Sequence, residues 1–157
     1  MKKLKFLFLL MFASVFVHAQ MSSYSYSSSV GTYTAISSGT DINTIEGDDV
    51  LSLKIPIGFS FNYSGSNYTN FRANSNGWIS LDTLITPSGF DQKTNNLSGN
   101  NSMRPIIAPL WDDLDGTTGE ASYKVTGSAP TRVLTIEWKN WEWNFQANGA
   151  VISFQIK

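Results

Sequence analysis

Past the first twenty residues, apolar side chains recur at every second position, and no stretch shows a helical spacing. Leu51, Leu53, Ile55 and Ile57 share one parity and lead on to Phe59, Phe61 and Tyr63. Leu134, Ile136 and Trp138 share a face opposite Val133, Thr135, Glu137 and Lys139, and Ile152, Phe154 and Ile156 repeat the pattern. A period of two places alternate side chains on one face of a strand. Turn residues punctuate these runs at Ser64-Gly65-Ser66-Asn67, Asn74-Ser75-Asn76-Gly77, Gly127 to Pro130 and Asn148-Gly149. Asn-Gly takes the positive φ angles of a tight hairpin at little cost. Many short strands joined this way predict an all-β fold, an antiparallel two-sheet β-sandwich of jelly-roll-like kind.

Three details refine the expectation. Pro56 interrupts the first run, so an edge, a bulge or a joint between strands is expected there. Residues 21–49, where Tyr24, Tyr26 and Tyr33 stand among Ser, Thr and Gly, read as one or two edge strands. Residues 86–103 form a long polar stretch of the sort that serves as a functional loop. After it, Ile106 to Trp111 returns to the core, where Trp78 and Trp111 are expected.

The first nineteen residues carry an address rather than a fold. Lys2, Lys3 and Lys5 precede an apolar run from Phe6 to Val17, and Val17-His18-Ala19 suits a cleavage site. This is the layout of a secretory signal peptide. The run is too short to cross a bilayer core of roughly 30 Å. The expected organisation is therefore a signal peptide over residues 1–19 and one β-sandwich domain over 20–157. That domain reads as truncated, because Lys157 falls within a strand pattern.

Removing the signal segment changes the charge balance. What remains has 8 Lys and Arg against 12 Asp and Glu. A nucleic-acid partner is excluded, since such binding needs clustered cations to displace phosphate counterions. The chain has 0 cysteines and 1 histidine, His18, inside the signal segment. Disulfides, thiol nucleophiles, Cys-ligated metals and a Ser-His-Asp triad are thus excluded from the remainder.

Several segments carry a family resemblance. They are Ile57-Gly58-Phe59-Ser60-Phe61, Asn76-Gly77-Trp78-Ile79-Ser80, Ile107-Ala108-Pro109-Leu110-Trp111-Asp112-Asp113, Leu134 to Trp138, and Ile152-Ser153-Phe154-Gln155. In order and spacing they resemble the N-terminal β-domain of large secreted surface proteins of Bacteroidetes-type bacteria. Those proteins commonly end in a sorting domain read by the type IX secretion system. The middle section is also similar to the extracellular nidogen-like (NIDO) domain. The resemblance implies a non-catalytic module for binding or adhesion, secreted or at the cell surface. Its partners would be an extracellular protein or glycan and further modules of the same polypeptide.

Two groups of residues carry candidate chemistry. Asp112, Asp113, Asp115 and Glu120 supply oxygen ligands of the kind calcium takes, although the spacing is not that of an EF-hand. The simpler reading is a turn whose aspartates cap backbone amides or face water. Asp48 and Asp49 form a second acidic pair open to the same two readings. Trp141 and Trp143 share the parity opposite Trp138 if the strand runs unbroken, and could offer a flat platform to sugar rings. Two alternatives to simple adhesion follow. One is a carbohydrate-binding module built on those tryptophans. The other is an accessory fragment of a secreted hydrolase, for which Glu137 and Glu142 are the strand-borne carboxylates.

Overall fold

The computed structural model describes residues 25–96, 103–147, 149 and 152–157. Residues 1–19, where the sequence suggests a signal peptide, lie outside the described residues, as do Tyr24 and Asn148. The protein is all-β: two antiparallel four-stranded sheets pack face to face. The first contains β1 (Thr40–Asp41), β6 (Glu120–Thr126), β7 (Val133–Trp141) and β8 (Ile152–Ile156), in the order β1-β6-β7-β8. The second contains β2 (Ile55–Tyr63), β3 (Ser66–Asn74), β4 (Trp78–Ser80) and β5 (Ile106–Ile107), in chain order. One helical turn, α1 (Gly89–Lys93), and a 3-10 turn at Asn43–Ile45 complete the elements.

The hairpins form where the turn residues stand. Ser64 and Gly65 take φ of 51° and 83° between β2 and β3, both positive, as a two-residue turn of matching twist requires. Gly77, at φ 76°, closes the turn between β3 and β4. A Cβ there would lie 1.9 Å from the Leu110 carbonyl oxygen, so only glycine lets residue 110 pass behind the turn. Pro56 pairs with Asn70, and the register shifts between Pro56 and Phe61, where Gly58 has φ 84°. The expected interruption is therefore a bulge. The strand begins at Ile55, and Leu53 ahead of it is exposed.

Residues 25–49 hold one edge strand, β1, at the rim of the first sheet. They contribute only the two residues of β1, and Tyr26 is exposed. Short side chains flanking Tyr26 leave no apolar face to bury there, so pairing has little to hold it.

The inner faces of both sheets meet in one core. Ile57, Phe71, Ala73 and Ile79 from the second sheet pack with Ala121, Ile136, Trp138 and Trp141 from the first. Phe71 and Tyr123 meet edge to face across the layers, 5.9 Å between centroids. Two indoles also bond across them: Trp138 Nε1 donates to the Asn74 carbonyl and Trp141 Nε1 to the Ser75 carbonyl, each at 2.9 Å. A buried indole N–H needs such a partner. A smaller cluster of Trp78, Ile85, Met103 and Trp111 holds the long loop onto the second sheet. Trp78 and Trp111 are thus core residues, as expected.

Candidate functional site

The loops at one end of the sandwich converge because their backbones are tied together. Asp115 N donates to Glu142 O and Glu142 N returns the bond to Asp115 O, at 3.2 and 2.8 Å. Gly116 N donates to Gly47 O, and Phe145 N to Asp113 O. Ser75 N donates to Val50 O, while Val50 N donates to Ser75 Oγ. Segments near residues 47–50, 75–77, 112–116 and 142–145 therefore share one end.

This convergence assembles a carboxylate cluster. Oxygens of Asp48, Asp49 and Asp113 all lie within 4.8 Å of one another. Asp49 Oδ1 accepts a 2.7 Å hydrogen bond from Asn76 Nδ2. Asp49 Oδ2 lies 3.3 Å from Lys93 Nζ, and Asp113 Oδ1 lies 3.7 Å from the same ammonium. Lys93 also stands over the Phe145 ring, 5.6 Å from its centroid.

The placement of Lys93 depends on its neighbour. The Gln92 carbonyl accepts from Trp78 Nε1 at 2.9 Å and from Trp111 Nε1 at 2.8 Å. The Gln92 side-chain oxygen accepts from Asn74 Nδ2 at 2.6 Å. These bonds dock the single helical turn on the second sheet and carry Lys93 to the cluster.

Electrostatics follow from this crowding. Partial burial, then the charges of Asp49, Asp115 and Asp113, push the Asp48 carboxyl above its ordinary range. Partial burial also raises Asp113; Lys93 opposes the rise, and Asp49 and Asp112 add to it. The hydrogen bond and charge of Asp49 hold the Lys93 ammonium above its usual value.

Of the four residues read as a calcium loop, only Asp113 joins the cluster. Asp112 Oδ1 accepts from the Asp113 amide, and Asp115 Oδ1 accepts from both Thr117 N and Thr117 Oγ1. Glu120 pairs with Lys139 at 2.8 Å on the surface of β6 and β7. Asp112 and Asp115 thus serve as turn-capping groups, which competes with ligation. The acidic pair Asp48 and Asp49 takes their place, brought in from far along the chain. Asn76 was visible in the sequence only as a turn residue, and nothing local marks it as buried.

The tryptophan platform does not assemble either. Trp141 is 0% exposed and Trp143 is 57% exposed. The pairing of β7 with β8 shifts between Trp138 and Trp141, and Asn140 takes φ 56°. This bulge adds one residue, so Trp141 turns to the same core face as Trp138. The unbroken alternation assumed from sequence fails at that residue. Trp143 remains at the surface, with Phe145 and Leu110 also exposed at the same end.

Both glutamates are engaged, Glu137 on β7 and Glu142 just past its end. Glu137 is 2% exposed and accepts from Tyr33 Oη, the Ile36 amide and Gln155 Nε2. It anchors residues 33–36 against the outer face of the first sheet. Burial, and then the hydrogen bond and charge of Glu137, push the Tyr33 hydroxyl up to about 12. Glu142 is buried and accepts from Thr118 Oγ1 at 3.1 Å. Among the described residues no helix is long and apolar enough to cross a membrane.

A family model described as NIDO related matches residues 23–157. Searches of curated proteins and of solved structures find no match.

Proposed function

We propose that this chain, which belongs to the NIDO-related family, is a non-catalytic extracellular module that binds a protein or glycan through the loop end of its sandwich. The observation that carries this reading is the exposure of Trp143, Phe145 and Leu110 together at that end. Exposed aromatics grouped on rigid turns are the side chains that anchor interfaces, because they bury much area and lose little conformational entropy. The structural bonding of Glu137 and Glu142 supports a non-catalytic reading, since each carboxylate already serves neighbouring groups. The proposal includes residues 1–19 as the export signal and residues 20–157 as a module of a larger surface protein. The type IX route of Bacteroidetes-type bacteria is the export path the sequence resemblance favours.

A sugar ligand is the second reading, favoured by the one indole face that remains exposed, that of Trp143. The test applies the purified protein to a glycan array and to a panel of immobilised extracellular proteins. Loss of binding in Trp143→Ala and Phe145→Ala, with unfolding midpoints unchanged, is the expected result. Retention of full binding by both variants would move the interface elsewhere. Polysaccharide turnover that disappears in Glu137→Gln or Asp113→Asn would overturn the non-catalytic reading.

A further inference from the structure

We infer that Asp48, Asp49, Asp113 and Asn76 form a calcium site in which Lys93 is the resident counter-cation that the metal displaces. The site differs from the 112–120 loop suggested by sequence, and it does not depend on which ligand the module binds.

Three observations converge. The three carboxylates present oxygens within 4.8 Å of one another, a spread that a single ion bound at 2.3–2.6 Å can bridge. They come from two loops locked by backbone bonds, so the arrangement is preorganised rather than a chance of one flexible turn. The third observation points to a ligand directly. Asn76 is 0% exposed, and its carboxamide is directed at Asp49. Among the described residues no donor reaches Asn76 Oδ1, and the buried Asp113 Oδ1 has the Lys93 ammonium at 3.7 Å and no closer donor. A buried acceptor without a donor costs free energy, and a cation removes that cost once the amide turns its oxygen toward the carboxylates.

The chemistry selects the ion. All candidate ligands are hard oxygens, with no histidine or cysteine at the site, which suits calcium or magnesium rather than zinc or copper. Three carboxylates and a carboxamide, completed by water, match the variable coordination of calcium better than the strict octahedron of magnesium. In the metal-free arrangement the Asn76 amide donates to Asp49. Half a turn about its terminal torsion exchanges nitrogen and oxygen, so that Oδ1 faces the ion. Lys93 then leaves the carboxylates, because a divalent ion and an ammonium repel each other in one acidic pocket. Its side chain already spans from the cluster to the Phe145 ring, which offers it a second resting place.

The test is calcium titration of the whole protein by calorimetry, with thermal unfolding in calcium chloride, magnesium chloride and chelator at matched ionic strength. Wild type should bind one calcium in the range of about 0.1–1 mM, as extracellular modules do. Its unfolding midpoint should rise accordingly. Asp48→Asn and Asp113→Asn should erase the shift, while Asp112→Asn and Glu120→Gln retain it. Lys93→Met should lower the midpoint in chelator and tighten calcium at least tenfold, a gain that a failure to fold cannot imitate. The inference is overturned if neither wild type nor Lys93→Met binds calcium at about 10 mM, well above that range. It is also overturned if magnesium gives an equal shift, which marks charge screening. Erasure by Asp112→Asn or Glu120→Gln, with the shift retained in Asp113→Asn, would return the ion to the loop read from sequence.

Discussion

The indole of Trp141 lies so close to Gly116 that a Cβ on the glycine would stand 2.1 Å from Trp141 Cζ2. The contact joins the end of β7 to the turn that carries the acidic loop, so a core side chain also sets where Asp113 and Asp115 stand.

Gly116→Ala should therefore destabilise the fold by about 1–3 kcal/mol, the usual cost of forcing a methyl group into a packed site. Trp141→Ala should cost more, about 3–5 kcal/mol, because it opens a cavity and leaves the Ser75 carbonyl without its donor. Trp143→Ala, on the exposed side of the bulge, should change stability by no more than about 0.5 kcal/mol. Urea midpoints at constant m-value would check the series. Equal losses for the two tryptophans would contradict the bulge.

Glu137→Leu should free residues 33–36 from the first sheet. The change removes the acceptor for Tyr33, the Ile36 amide and Gln155. Stranding those donors costs about 1–3 kcal/mol, reduced to the extent that the released segment reaches water. Faster amide exchange at Ile36, with β6 and β7 still protected, is the expected signature. Unchanged protection at Ile36 would show that the segment is held by something else.

Alkaline pH should probe the same anchor. The Tyr33 hydroxyl ionises near 10.0 when unfolded and about 12 when folded. A group with a raised folded pKa contributes its full stability below the unfolded value and loses it as pH rises through the folded one. Between those two values wild type should lose stability faster than Tyr33→Phe. Parallel unfolding curves for the two proteins across that window would exclude the linkage.

The carboxylate cluster gives a pH effect near the acid end. Because Asp48 is held above its ordinary value, the folded protein favours its protonated form. In chelator, Asp48→Asn should raise the unfolding midpoint at neutral pH, where the wild-type charge is opposed by its neighbours. The gain should vanish well below the ordinary carboxyl value of 3.8, where both versions are neutral in folded and unfolded states. A gain that persisted at low pH would point to packing or hydrogen bonding instead of charge.

Much of this architecture was legible in the residues. The Ser64-Gly65 and Asn76-Gly77 turns stand where they were expected, and β7 and β8 follow the alternating runs. Trp78 and Trp111 are buried as read. The misreadings share a cause. Leu53 keeps the parity of Ile57 but falls before the paired strand begins, and Trp141 keeps the parity of Trp143 but lies beyond a bulge. Periodicity describes a strand only while its ladder is unbroken.

The residues alone set the class of fold, the turn positions and the exclusion of thiol chemistry, because these depend on composition and on backbone preferences spanning a few residues. Tertiary structure decided which aspartates meet. Asp49 reaches Asn76 across 27 positions, and Trp141 reaches Ser75 across 66. Such contacts follow from how two twisted sheets stack and how their end loops bond. No local pattern encodes that stacking, so the cluster of Asp48, Asp49 and Asp113 exists only once the sandwich has closed.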